Sequence, residues 1–72
     1  MDKMQPIMTV NRFGDKFWML HTKIHRDDGP AIEYADGYKS WWLNDNPLTF
    51  DKWLDKVNMS DEDKVMMKLQ YG

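Results

Sequence analysis

The sequence predicts a small α+β domain, in which an antiparallel β-meander of about four strands is followed by two short C-terminal helices. Two observations predict this fold. The pattern G-x-K-x-W-x-L occurs twice, 23 residues apart, in the first two thirds of the chain. After residue 48 the spacing of apolar residues changes from that of strands to that of helices. The 72 residues are therefore expected to form one domain, with a β-hairpin region at residues 1–48 and a helical cap at residues 49–72.

The internal repeat aligns residues 14–20 with residues 37–43, which read GDKFWML and GYKSWWL. Both segments are rich in aromatic residues and are flanked by turn-forming residues, as β-strands commonly are. Asp36-Gly37 favours a tight hairpin turn, because glycine adopts the positive φ that such turns require. Asp28-Gly29-Pro30 marks a second break. We predict short antiparallel strands at residues 7–10, 16–20, 31–35 and 39–43.

The repeat also predicts which side of the sheet is buried, because side chains alternate between the two faces of a strand. Positions that stay the same in both copies are those that the packing requires, and apolar residues of the intervening strand should join them. The predicted core is Trp18, Leu20, Trp41, Leu43, Ile32 and Tyr34. The other side differs between the copies, and it carries Phe17, Met19, Tyr38 and Trp42.

The first helix is predicted from an apolar stripe. Phe50, Trp53, Leu54 and Val57 are spaced i, i+3, i+4 and i+7, which is typical of one face of an amphipathic helix. Thr49 precedes them and is a suitable N-cap.

The second helix is predicted to begin after Ser60. Acidic residues at 61–63 lie at its positive end, and Val65, Met66 and Leu69 form its apolar stripe. We expect the two helices to cover one side or edge of the small sheet, which would otherwise expose its apolar face.

Composition excludes several classes of protein. The chain has no cysteine, so neither a disulfide framework nor a thiolate metal site can stabilise it. No apolar run approaches the ~20 residues of a membrane span, and residues 1–6 lack the pattern of a signal peptide. We therefore expect a cytoplasmic protein that has no membrane partner.

The net charge of −2 is distributed unevenly along the chain. Residues 1–26 hold five basic and two acidic side chains, whereas residues 27–72 hold five basic and ten acidic ones. Nucleic-acid-binding proteins usually carry a dominant basic surface, and this chain has none overall. The positive surplus near the N-terminus fits either a local basic face or ordinary solvated strand surfaces.

One stretch of the chain resembles a known repeat. Residues 25–31 read HRDDGPA, and residues 34–44 read YADGYKSWWLN. This resembles a repeat of small phage proteins, H-R-x-D-G-P-A-x-x-Y-x-D-G-x-K-x-W-x-L-N-G-K, and is similar in layout to the MORN-like hairpin repeats of YwqK-type antitoxin proteins. The resemblance covers residues 12–48 and departs at Asp45-Asn46, which replace the Gly-Lys turn, and at Pro47-Leu48, which lead into a helix. It implies a phage origin and a β-hairpin fold capped by helices, and no particular activity.

The two histidines, His21 and His25, are candidates for metal binding. H-x-x-x-H spacing puts two imidazoles on one face of a helix, but here it falls at a junction of strand and turn, without an evident third ligand. We therefore expect no metal site, and instead a hydrogen bond between His25 and the turn at residues 27–29.

Three aspartates, Asp27, Asp28 and Asp36, are candidates for acid–base catalysis as paired carboxylates. Aspartate in a glycine-containing turn more often bonds its own backbone. A chain of 72 residues also has little volume for a cleft that excludes water. The sequence thus predicts neither an enzyme nor a cofactor.

Aromatic residues interleaved with cations form the strongest binding signal. The predicted partner-binding residues are Trp42, Tyr38, Met19, Phe17, Lys39 and Arg26. Such a surface can bind a protein, because Trp, Tyr and Met are enriched at interfaces. It can also stack the bases of a single strand beside cations such as Lys16 and Lys23. A further alternative is that the helices cover this face, so that the sheet is core on both sides.

Together these observations predict a non-catalytic, phage-type interaction module. It would bind a host protein, such as a defence or nucleic-acid-processing factor, and inhibit or redirect it in the host cytoplasm. Two alternatives stay open: a single-stranded nucleic-acid-binding protein, and a structural unit that self-associates through its sheet edges. We expect a monomer or a small homo-oligomer.

Overall fold

The computed structural model describes residues 5–72. It contains an antiparallel sheet followed by two helices, which confirms the predicted α+β class. The strands are β1 (Ile7–Val10), β2 (Lys16–Leu20), β3 (Lys23–Ile24), β4 (Ile32–Glu33), β5 (Lys39–Leu43) and β6 (Asn46–Leu48), and the helices are α1 (Phe50–Lys56) and α2 (Asp61–Tyr71). Residues 5–72 thus form six strands rather than the four predicted.

The two additional strands, β3 and β6, follow tight two-residue turns. His21 and Thr22 have φ values of 51° and 66°, and Asn44 and Asp45 have φ values of 51° and 68°. Two consecutive residues with positive φ are typical of a type I′ turn, whose twist matches that of a hairpin. Asn and Asp tolerate this conformation, whereas a His-Thr pair is unusual there. The sequence therefore gives little signal for the first of these hairpins.

The sheet consists of two copies of one three-stranded unit, β1–β3 and β4–β6. Its strand order is β1-β2-β4-β5-β6, β3 also pairs with β2, and all pairs are antiparallel. Registers of the first unit recur 23 residues later, since Met19 pairs with Ile24 as Trp42 pairs with Pro47. The β1–β2 register likewise recurs between β4 and β5. The seven-residue sequence repeat is thus part of a longer structural repeat.

The hydrophobic core lies between α1 and the second unit. Trp41 of β5 is 8% exposed and packs with Trp53 of α1, which is 0% exposed. Leu54 and Val57 complete the buried cluster. Partly buried side chains surround it: Leu43, Leu48, Phe50, Met59, Met67 and Tyr71.

The predicted core is correct for Trp41 and Leu43, wrong in its face for Ile32 and Tyr34, and overstated for the first unit. Trp41 is buried, and Leu43 contacts the core cluster. Ile32 is also buried, but it pairs with Phe17 and Ser40, so it lies with Tyr34 on the side of the sheet opposite to Trp41. The other predicted core residues are only half-buried: Trp18, Leu20 and Tyr34. The helices pack on β5 and β6 and cover the core cluster there. Trp18 and Leu20 lie on β2, so they do not join this cluster.

Both helices begin where the sequence predicts. The side-chain oxygens of Thr49 and Ser60 accept hydrogen bonds from the backbone N–H groups of Lys52 at 3.2 Å and Asp63 at 3.1 Å. Such caps satisfy N–H groups that have no partner within the first helical turn. No helix within residues 5–72 is long and apolar enough to cross a membrane.

The predicted apolar stripe of α2 is wrong. Val65, Met66 and Leu69 are exposed to solvent. Met67 and Tyr71, spaced i and i+4, contact the core instead. Because α2 carries apolar residues on two sides, their spacing alone does not decide which side packs.

Truncation of Trp41 is expected to unfold a large share of the protein. Its ring centroid lies 4.6 Å from that of Trp53 and 4.8 Å from that of Phe50. Removal of a buried aromatic side chain costs about 3–5 kcal/mol, and a domain this small has a total stability of roughly 5 kcal/mol. When urea unfolding is monitored by circular dichroism, the curve of Trp41→Ala should show little of the folded baseline, because a large share of the variant is unfolded without urea.

The matched control for this measurement is Phe13→Ala. Phe13 is a large apolar residue that is exposed in the turn between β1 and β2, so its removal should change the free energy of unfolding by only about 0.5 kcal/mol. Cooperative, wild-type-like unfolding of Trp41→Ala would show that the core is assigned to the wrong side of the sheet.

Candidate functional site

One face of the sheet carries no helix. Side chains that pair across neighbouring strands point to the same face, and Phe17 pairs with Ile32, which pairs with Ser40. The helices pack on the opposite face, beside Trp41 and Leu43. We call the first side the helix-free face: Ile7, Thr9, Phe17, Met19, Ile24, Ile32, Tyr34, Tyr38, Ser40, Trp42 and Pro47.

The structure brings four of the six predicted binding residues together on this face: Phe17, Met19, Tyr38 and Trp42. The other two, Lys39 and Arg26, lie on the opposite side, since Lys39 shares the face of Trp41 and Arg26 stacks on Trp18. The alternative in which the helices cover the aromatic face is wrong, because the cluster beneath the helices contains none of its residues.

Trp42 is half-buried and fixed in place by hydrogen bonds. Its indole Nε1–H donates to the Ser40 hydroxyl at 2.9 Å, and its backbone carbonyl accepts from the Arg26 N–H at 3.2 Å. Pro47, its cross-strand partner on β6, is exposed. The indole is therefore satisfied within the protein, and its uncovered part offers apolar surface.

Tyr38 is the most accessible aromatic residue of the helix-free face, at 67% exposed. Its backbone N–H donates to Asp36 Oδ1 at 3.0 Å, and its carbonyl accepts from the Tyr34 N–H at 2.8 Å. The Tyr34 and Tyr38 rings lie 5.6 Å apart. The predicted turn at Gly37, whose φ is 95°, thus fixes the backbone beneath a ring that faces solvent.

Two residues of this face come from strands that the sequence analysis did not predict. Ile24 lies on β3 and Pro47 on β6, and they are 23 residues apart. They are therefore equivalent positions of the two units. The sequence repeat does not reveal them, because residues 21–25 (HTKIH) and 44–48 (NDNPL) have no residue in common at this offset.

Arg26 holds the loop of residues 26–30 against the first unit. Its guanidinium carbon lies 3.9 Å from the centroid of the Trp18 ring, and its Nε lies 2.8 Å from Asp28 Oδ1. Its Nη1 donates to the Pro30 carbonyl at 3.1 Å and lies 3.6 Å from Glu33 Oε2. These internal contacts engage the guanidinium that was predicted to bind a partner, so Arg26 supports the loop.

His25 bonds to the turn between β5 and β6, not to residues 27–29 as predicted. Its Nδ1 accepts a hydrogen bond from the Asn44 N–H at 3.1 Å. Beside it, the Ile24 N–H donates to Asp45 Oδ1 at 2.7 Å, and the Asp45 N–H donates to the Ile24 carbonyl at 2.9 Å. These bonds join the two units. Within residues 5–72, no group of three His, Cys, Asp or Glu side chains could hold a metal ion.

Two of the three candidate carboxylates stabilise turns. Asp36 accepts the Tyr38 N–H, and Asp28 is paired with Arg26. Asp27 and Asp28 also border an open cleft of about 390 Å³, whose other lining residues are Gln5, Pro6 and Trp18.

The helix-free face can bind through apolar contact. As defined here, it carries aromatic, aliphatic and hydroxyl side chains and no charged one. Surfaces of this composition gain free energy when they are removed from water. Comparison of the chain with protein-family models, with curated proteins and with solved structures finds no match.

The contact between Arg26 and Gly29 yields a prediction about the loop. A Cβ added at Gly29 would lie 2.8 Å from the Arg26 guanidinium carbon, so Gly29→Ala should displace the side chain from Trp18 and lower the free energy of unfolding by about 1–3 kcal/mol. Arg26→Lys should have a similar effect, because an ammonium cannot reproduce the planar stack and the fork of hydrogen bonds.

Chemical denaturation of both variants and of the double variant measures this coupling. The double variant should be scarcely less stable than either single variant, because both changes disrupt one contact. Fully additive losses would show that Gly29 and Arg26 act independently. Gly37→Ala is a poor control because of its positive φ, so Ala35→Ser, at an exposed site, is preferred.

Proposed function

We propose that the protein is a non-catalytic interaction module of phage type, which binds a host protein through the helix-free face. By occupying a surface of that protein it would inhibit or redirect it. The observation that carries the proposal is the position of Phe17, Met19, Tyr38 and Trp42 on the one face of the sheet that the helices leave uncovered. The phage type rests on the resemblance of residues 12–48.

The chemistry of the face favours a protein partner. Its exposed and half-buried members include Phe17, Met19, Tyr38 and Trp42, and aromatic and Met side chains are enriched at protein interfaces. Trp42 and Tyr38 offer large contact areas on a hydrogen-bonded sheet, so little conformational entropy is lost on binding. A complementary apolar patch on a host protein would suit this face.

The position of the cations argues against a single-stranded nucleic-acid partner. Bases that stack on aromatic rings need cations alongside for their phosphates. Lys16 and Lys39 alternate with Phe17 and Ser40 along their strands, so they belong to the opposite face. Lys23 pairs with Leu20 on that opposite face, and Arg26 stacks on Trp18 there. Stacking aromatics and phosphate-binding groups are therefore separated by the sheet.

One observation favours self-association through sheet edges as a second candidate function. β1 lies at the end of the strand order, and its residues are exposed, among them Ile7, Met8 and Val10. An edge strand of this kind has backbone groups that can pair with another strand. A second copy of the chain could extend the sheet there.

Truncation of Tyr38 tests the proposed binding face. Because the ring is largely exposed, Tyr38→Ala should keep the wild-type melting temperature within a few degrees, while it weakens binding to the host partner by about 2 kcal/mol, as hot-spot residues do. Host proteins captured on the immobilised chain would be purified and titrated calorimetrically against both forms. Phe13→Ala, at a residue of similar exposure in the β1–β2 turn, should bind like the wild type.

The same titrations discriminate between the alternatives. Equal affinities for wild type and Tyr38→Ala would contradict the proposed face, and Trp42→Phe would then show whether the indole contributes. An affinity for oligonucleotides that falls steeply with salt and depends on Tyr38 would support the nucleic-acid alternative instead. Loss of self-association in Val10→Glu would support the sheet-edge alternative.

A further inference from the structure

The outer side of α2 is apolar and uncovered. Val65, Met66 and Leu69 are 55%, 60% and 79% exposed. They lie on the side of the helix opposite to Met67 and Tyr71, which contact the core. Single exposed apolar residues are common on protein surfaces, but three neighbouring ones on one helical side indicate an interaction surface. Neither the core nor the helix-free face uses them.

Charges flank this apolar stripe in a pattern that fits a copy of the same helix. Asp61 and Lys68 are seven residues apart, which places them on the same flank of the stripe, about 10 Å from each other along the helix axis. Asp61 lies in the first turn of α2 and Lys68 in its last turn. The flank is therefore negative at one end and positive at the other.

We propose that α2 is a self-association surface, on which the α2 helix of a second copy packs in antiparallel orientation. The two-fold axis passes beside Val65 and Met66, so that these side chains meet those of the copy. Measured along the helix axis, Asp61 of each chain then lies within about 3 Å of the level of Lys68 of the other chain, and two ion pairs form. The surface is separate from the helix-free face and does not depend on the proposed function.

The charge pattern selects the antiparallel orientation. In a parallel pair the two-fold axis would bring opposite flanks of the stripe together, so Asp61 would lie near Asp63 of the copy and Lys68 near Gln70, and no ion pair would form. Antiparallel helices also bring opposite ends of their dipoles together. Glu62, at the N-terminal end of the stripe, lies level with Leu69 of the copy and can cover it with its aliphatic stem.

The size of the surface indicates a weak, reversible dimer. α2 has 11 residues, so it is about 16 Å long. A stable interface of standard size buries about 800 Å² on each partner, which is more than one side of such a helix supplies. We therefore expect a dissociation constant on the order of 100 µM.

Sedimentation equilibrium of the full chain, from about 10 µM to 1 mM, tests the proposal. The wild type should change from monomer to dimer across this range. Leu69→Glu places a charge at the most exposed apolar site of α2. It should weaken dimerisation at least about tenfold, because the dimer would remove this unpaired charge from water. Phe13→Glu makes the same type of change at a comparably exposed residue of the β1–β2 turn and should leave dimerisation unchanged.

An exchange of charges tests the orientation. Asp61→Lys and Lys68→Asp each create two like-charge contacts in the antiparallel dimer and should weaken it by roughly threefold to tenfold. The double variant restores opposite charges and should dimerise within about threefold of the wild type. Circular dichroism of each variant separates these effects from loss of helix, because Asp61 also favours the helix N-terminus.

Three results would overturn the proposal: a wild type that stays monomeric at about 1 mM, a dimer that persists in Leu69→Glu, or a double charge exchange that does not recover dimerisation. A dimer that persists in Leu69→Glu and is lost in Val10→Glu would place the contact at the β1 edge instead.

Discussion

The contact between Trp41 and Trp53 holds the helices against the second unit of the sheet. The two ring centroids lie 4.6 Å apart, and Trp53 is fully buried. The Trp53 Nε1–H also donates to the Arg26 carbonyl at 2.8 Å, so α1 is bound both to the sheet and to the loop that links the two units. Tyr71 adds the second helix, since its ring lies 5.1 Å from that of Trp41. One aromatic cluster thus sets the position of α1, α2 and the second unit.

The same constraint explains why two equivalent tryptophans differ in burial. Trp18 and Trp41 occupy the same position of the repeat, but the helices cover only Trp41. Above Trp18 lies the Arg26 guanidinium, held by Asp28 and Glu33, and Gly29 leaves room for it. A stacked cation excludes less water than packed aromatic rings, so the first unit is covered but has no deep core. The HRDDGPA segment therefore has a structural role.

The sequence predicts the elements whose residues repeat or follow a clear period. The G-x-K-x-W-x-L repeat located β2 and β5 and assigned their faces, and Thr49 and Ser60 marked the helix starts. The sequence does not predict β3, because His21-Thr22 is an unusual turn pair, and it does not predict β6, because Pro47-Leu48 are interpreted as leading into a helix. The packed side of α2 depends on which apolar stripe meets Trp41, and that is decided by tertiary contact. Four of the six predicted binding residues share a face because side chains alternate between the two faces along a β-strand, which is also how the repeat predicts faces.

Comparison of the two units also shows which positions of the repeat are not required for packing. Phe17, Met19 and Asp15 of the first unit correspond to Ser40, Trp42 and Tyr38 of the second. Asp15 bonds the Ala35 N–H at 2.8 Å, whereas Tyr38 in its place faces solvent. The helices lie on the opposite side of the sheet, so a dimer formed through the outer side of α2 leaves both helix-free faces uncovered. Such a dimer would present two copies of the proposed binding face. A weak helix contact would then suffice for a multimeric partner, because two copies held on one partner act at a high effective concentration.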